Sequence, residues 1–211
     1  MKTNLISEMF PVLKGMKEIF KGGKYKQKKA DEPFLDLQIG KHFTLKEYIY
    51  SDIANQFFIN NFPGVDGSPS QSEVIANLIS LATNIIDIIS DKYPKVVIKS
   101  GYRCLALNTK MGGSPISQYI FGQAVDLQVP GVSSAILYNY IYDNVPTWDQ
   151  LIWKFPENTQ GSGVYVSWSN VKNRRKTTLA SNVPSNHKKH CKKETKSMFS
   201  HGLGQINIDL I

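Results

Sequence analysis

The chain has 211 residues, 41% of them hydrophobic and 11% aromatic, which suits one domain of about 130–150 residues with extensions. Its formal charge of +8 sits at the ends: residues 1–32 hold eight lysines against four acids, residues 33–170 eight basic against eleven acidic residues, and residues 171–211 nine basic against two acidic. Two cysteines, Cys104 and Cys191, exclude a disulfide framework and suit reduced thiols made in the cytoplasm; no apolar run reaches the ~20 residues of a membrane span, and residues 9–13 are too short an apolar core for a secretion signal.

Residues 1–32 form the first segment, a basic amphipathic arm and linker. Leu5, Ile6, Met9, Phe10, Leu13, Met16, Ile19 and Phe20 recur at helical spacing, with Lys14, Lys17 and Lys21 mostly on other faces. Pro11 kinks this helix or delays its start, and Gly22-Gly23 ends it. Three readings stay open for the arm: docking on the domain or a partner subunit, lying on a membrane surface, or disorder.

The domain is expected over residues 33–176. Thr44 followed by Glu47 is a capping box, so a helix starts there and runs to about residue 51. Residues 60–70 are a loop by their Asn, Pro, Gly and Ser content. Residues 72–91 are the clearest helix: Val74, Ile75, Leu78, Leu81, Ala82, Ile85, Ile86 and Ile89 make one apolar face, with Ser72 as its cap and the sheet as its packing partner. Val96-Val97-Ile98 is a buried strand broken at Ser100-Gly101-Tyr102-Arg103. Residues 105–108 suit a helical turn or two, residues 111–115 a loop, and residues 124–129 a second strand. A helix follows over residues 133–143 with Ile136, Leu137, Tyr140 and Ile141 inward. Residues 148–155 and 163–168 read as strands of an antiparallel hairpin.

The basic extension, residues 177–211, gathers His187, Lys188, Lys189, His190, Cys191, Lys192, Lys193 and Lys196. Such a cluster suits electrostatic binding to nucleic acid or an acidic partner surface, a solvated tail, or a segment ordered only in an assembly. The spacing of His187, His190, Cys191 and His201 fits no zinc pattern. The alternation Ile206, Ile208, Leu210 suits a strand added to a neighbour's sheet.

The stretch over residues 99–129 resembles the family of zinc D-alanyl-D-alanine carboxypeptidases and phage L-alanyl-D-glutamate peptidases, which cut peptidoglycan peptides. Ser100-Gly101-Tyr102-Arg103, Asn108, Gly112-Gly113-Ser114, Ser117, Gly122, Ala124 and Asp126 keep that family's order and spacing. Further on, Asp149-Gln150-Leu151-Ile152-Trp153 and Val164-Tyr165-Val166-Ser167-Trp168 match its final region, so the likeness spans roughly residues 42–176. The resemblance implies an α+β domain with a small, largely antiparallel sheet packed by helices. It also implies a zinc site whose protein ligands are two His and one Asp. Here Asp126 is kept, but Tyr119 and Tyr165 stand at the two His positions. An acidic residue often follows Leu-Ile-Trp in the family; in this chain it is Lys154.

Zinc takes imidazole, thiolate or carboxylate, and a phenol with a pKa near ~10 is a poor substitute at neutral pH. The expectation is therefore a site without metal or other cofactor, in which the two tyrosines fill the vacated volume and hydrogen-bond to Asp126. The resemblance places Arg103 where it can meet a substrate carboxylate or carbonyl; its other role is to pair with Asp126 or cap the loop. Ser117 is either a turn residue or a relic of ligand binding. Two functional readings follow. One is a catalytically inactive peptidase-like protein with a structural or binding role, which the family's frequency in bacteriophages places in a virion, its arms touching other virion proteins, nucleic acid or a membrane surface. The other is a working zinc-dependent cell-wall peptidase with an atypical metal site. Between them lies a site that binds peptidoglycan peptide without cutting it.

Overall fold

The computed structural model describes residues 34–65, 67, 69–155 and 163–181. The expectations for the N-terminal arm, the basic cluster around His187, His201 and the strand at residues 205–211 lie outside these.

Two short strands, β1 (Gln38–Ile39) and β2 (Phe43–Thr44), pair antiparallel and lead into α1 (Leu45–Ile49). The Glu47 carboxylate accepts the Thr44 N–H at 2.8 Å and its hydroxyl at 2.7 Å, closing the helix start in the way a Thr-x-x-Glu sequence allows. Helix α2 (Asp52–Gln56) follows, with the Ser51 hydroxyl accepting the Ala54 N–H at 3.2 Å.

The long helix α3 (Gln71–Lys92) contains a π turn at Ala82–Ile86. Its cap is Ser70, whose hydroxyl accepts the Glu73 N–H at 3.3 Å. Ser72 was the expected cap, but the helix begins at Gln71, so Ser72 lies inside the first turn. Val74, Ile75, Leu78, Leu81, Ile85, Ile86 and Ile89 are fully enclosed. Each such side chain stabilises the fold by about 1.5–3 kcal/mol, and this face makes α3 a core helix although its length and hydropathy would suit a bilayer. Just past the π turn, buried Asp87 accepts the Lys41 N–H at 2.9 Å and ties the β1–β2 turn to α3. The buried Asn77 amide donates to the Phe121 carbonyl at 2.9 Å, fixing α3 beside the entry to β4.

Five strands make the main sheet: β3 (Val97–Ser100), β4 (Ala124–Gln128), β5 (Gln150–Phe155), β6 (Gly163–Ser167) and β7 (Lys176–Ser181). Their order is β3-β4-β6-β5-β7, antiparallel except for the parallel pair β5–β7. Helix α4 (Leu105–Lys110) lies between β3 and β4 in the chain, and α5 (Ser134–Asn144) between β4 and β5. The fold is thus the α+β class expected, with helices on a small, mainly antiparallel sheet.

Strand alternation gives the sheet two different faces. Leu151 and Val166 are register partners on one, which α5 covers. There the Trp153 indole donates to the Ser134 hydroxyl at 2.9 Å and lies 6.0 Å from the Tyr138 ring. Leu137, Tyr138 and Ile141 point inward, while Ile136 is 56% exposed and Tyr140 half-buried. The inward face expected from sequence is therefore corrected by one helical stripe, because Tyr138 packs on Trp153. On the other face Asp126 is opposite Tyr165, Tyr165 opposite Ile152, and Lys154 opposite Gly163. This second face carries the candidate site.

Strand β7 was not foreseen, since residues 177–211 read as a basic extension beyond the domain. Two neighbouring arginines launch it. The Arg174 guanidinium grips Asp149 through two bonds of 2.6 Å, and Arg175 lies 3.9 Å over the Trp148 ring and donates to the Pro146 carbonyl at 2.6 Å. The sheet therefore continues five residues past the expected end of the domain at 176.

Candidate functional site

The turn after β3 brings Arg103 to the site. Gly101 is required there: a Cβ would come within 2.4 Å of the Tyr48 carbonyl oxygen, so only glycine lets the turn close onto α1. Asn61 then locks the turn. Its amide donates to the Ile49 carbonyl at 2.7 Å and the Tyr102 carbonyl at 3.1 Å, and its oxygen accepts the Cys104 N–H at 2.8 Å. Sequence reasoning left Asn61 in a loop; its partners lie 12 to 43 residues away, so no local pattern marks it.

The glycine-rich loop brings Tyr119. Buried Asn108 donates to the Ser114 carbonyl at 2.9 Å, and Gly113 passes so close that a Cβ would meet the Asn108 amide oxygen at 2.2 Å. Ser117 serves in this turn: its N–H reaches the Ser114 carbonyl and its carbonyl accepts from Ile120, both at 3.0 Å. The Tyr119 carbonyl accepts the Arg103 N–H at 3.1 Å, which joins the two loops.

Tyr119, Asp126, Tyr165 and Arg103 come together, with Ile152 packed against them. The rings of Tyr119 and Tyr165 meet edge to face, with centroids 5.5 Å apart. The Arg103 guanidinium stacks 3.7 Å from the Tyr119 ring centroid and donates twice to the Ser100 hydroxyl, at 3.1 and 2.9 Å. Its Nη2 lies 3.8 Å from Asp126, a looser contact.

The main partner of Asp126 is Lys154, whose ammonium lies 2.5 Å from Oδ1. The two residues are separated by β6, about 10 Å of sheet. Lys154 is the register partner of Gly163 on β6, where a Cβ would instead meet the Leu127 carbonyl oxygen of β4 at 2.6 Å. The group is partly buried: the Asp126 side chain is 15% exposed, Arg103 12% and Lys154 31%.

The expected bonds from the tyrosines to Asp126 are corrected by this geometry. The Tyr165 hydroxyl donates instead to the Gln118 amide oxygen at 3.0 Å. The Tyr119 hydroxyl is enclosed near Asp126 but falls short of a well-formed hydrogen bond. Burial, and then the charge of Asp126, pushes the Tyr119 phenol well above its ordinary range, and burial also pushes Tyr165 up. Both rings stay protonated and neutral at physiological pH.

Gln118 connects the site to a second polar centre. Its oxygen accepts from Tyr165 and, at 2.7 Å, from the Gln150 amide; its nitrogen donates to Asp149 at 2.8 Å. Burial raises the cost of charging Asp149, but the bonds from Arg174 and Gln118 outweigh it and hold the carboxyl below its usual value. Neither Gln118 nor Arg174 stood out in the sequence, because each acts through a partner distant along the chain.

The residues present do not fit zinc. Two neutral phenols and one carboxylate engaged by an ammonium replace the ligand set that the resemblance implies. Among the described residues, no group of three His, Cys, Asp or Glu lies together in a way that could hold a metal ion.

Fold and motifs together define a domain of the zinc cell-wall-peptidase type. The family model of Peptidase M15 matches residues 46–157, just over half of the chain, and the chain belongs to that family. The match takes in Arg103, Tyr119, Asp126 and Lys154 and stops before Tyr165. No curated protein matches the chain.

Proposed function

We propose that this protein is a peptidoglycan-peptidase-like domain that does not hydrolyse peptides and serves a structural or binding role. One observation carries the reading. Asp126, the acidic ligand position of the resemblance, is bonded to Lys154 and flanked by two neutral tyrosines. Nothing in that set generates a nucleophilic water, since a zinc peptidase needs three protein ligands and an open position. The basic segments at residues 1–32 and 171–211 favour a virion or other assembly as its setting, with partner proteins, nucleic acid or a membrane surface as their counterparts.

Metal analysis of the purified full chain, paired with hydrolysis assays on peptidoglycan fragments, tests this. The expected result is substoichiometric zinc and no turnover sensitive to chelators. Stoichiometric zinc with chelator-sensitive turnover would establish the alternative, an active wall peptidase with an atypical metal site.

A second reading is favoured by the local charge: two cations, Arg103 and Lys154, face one carboxylate, Asp126. The excess positive charge suits the carboxylate of a wall peptide held without cleavage. Titration with muropeptides, comparing the unaltered chain with Arg103→Ala, tests it. Loss of affinity in the variant is expected, and equal affinity would count against it.

A further inference from the structure

We propose that Lys154 replaces the charge of the metal, and that its ammonium, beyond the loss of two imidazoles, keeps divalent cations away from Asp126. This rests on the non-hydrolytic reading above and adds the residue that made metal loss tolerable. A carboxylate as enclosed as Asp126 is costly unless a positive group meets it. Arg103 only partly supplies one. Its guanidinium is committed to Ser100 and to the Tyr119 ring, and it approaches Asp126 no closer than 3.8 Å. Lys154 completes the neutralisation at 2.5 Å on the other carboxylate oxygen.

Location makes this more than an ordinary ion pair. Lys154 comes from a strand two places away, reaching across β6 to the carboxylate that the resemblance assigns to the metal. Its ammonium passes 5.9 Å from the centroid of Tyr165, the residue at a second ligand position. A dication bound there would compete for the same oxygen and stand within a few ångströms of a fixed positive charge, a repulsion that falls only slowly with distance in a partly buried site. The family often has an acid at this place, so lysine reverses the local charge by two units. Loss of the imidazoles removes affinity for metal, whereas Lys154 adds active exclusion.

Zinc and cobalt titration of full-length variants separates these effects. The Tyr119→His/Tyr165→His variant restores both imidazoles beside Lys154; adding Lys154→Met removes the ammonium but keeps most of the stem. The triple variant should bind zinc about 100-fold more tightly than the double variant and give the visible absorption of tetrahedral cobalt. Equal affinities would overturn the role of Lys154 while leaving the non-hydrolytic reading intact. Stoichiometric zinc in the unaltered chain would sink that reading itself. If the multiple variants do not fold, Lys154→Ala alone decides. Ethylammonium should raise its melting temperature more than it raises that of the unaltered chain, and more than sodium does at equal ionic strength. A lack of selectivity would overturn the proposal.

Discussion

Asp126 and Asp149 are two enclosed carboxylates of one sheet, and the sheet treats them differently. Asp149 is 2% exposed and saturated: Arg174 grips both oxygens, its N–H adds a bond of 3.1 Å, and Gln118 adds another. Asp126 has one short bond from a flexible ammonium and one loose contact from a guanidinium. Planar, bidentate pairing fixes orientation as well as charge; a lysine supplies charge with little direction. The first carboxylate is therefore a structural clamp. The second is neutralised without being oriented.

The largest expected effect comes from breaking the clamp. Arg174→Ala leaves Asp149 buried without its main partner and should cost about 2–3 kcal/mol, less than the ~3–5 kcal/mol of a fully buried pair because Arg174 is 47% exposed. Urea denaturation measures it. Because the Asp149 carboxyl titrates below its unfolded value of ~3.8–3.9, its contribution is complete above that pH and drains away as pH falls through the lowered folded value. Asp149→Asn should flatten this acid limb. Lys154→Met should cost less, about 1–2 kcal/mol, since Asp126 keeps Arg103 and some access to water. If Lys154→Met proved costlier than Arg174→Ala, the contrast between the two carboxylates would be wrong.

The tyrosines extend the contrast at smaller scale. Tyr165→Phe removes the bond to Gln118, which feeds the Asp149 clamp, and should cost about 1 kcal/mol. Tyr119→Phe removes a hydroxyl without a well-formed partner and should change stability by under ~0.5 kcal/mol near neutral pH. Both phenols have folded pKa values above the unfolded ~10, so stability falls as pH rises past that value while the unfolded rings ionise. Each Phe variant should soften that alkaline loss in melts taken from pH 9 to 11.

What sequence revealed here, and what it hid, divides along chain distance. The helix starts at Thr44 and Ser133, the core face of α3 and the β5–β6 hairpin are local patterns, and they lie where the residues predict. The motif order put Tyr119, Asp126 and Tyr165 at one site, and in the structure these three lie on neighbouring elements. Bonding partners were less legible. Lys154 was visible as a departure from the family, but its partner Asp126 lies 28 residues away and across an intervening strand, so no local pattern marks the pair. Residues 176–181 contain only six residues after an arginine pair, and their strand character comes from parallel pairing with β5 rather than from alternation of their own. Tyr138 displaced Ile136 from the inward stripe of α5 because a tryptophan on another strand awaited it.

The parallel partnership of β7 with β5 has a consequence for any shortened version of this protein. Termination at residue 176 would strip the outer neighbour from β5 and bare a row of unsatisfied main-chain donors and acceptors over Gln150–Phe155. Such a fragment would retain the whole polar site yet become prone to self-adhesion, so solubility in expression trials would hinge on a handful of residues at the sheet edge.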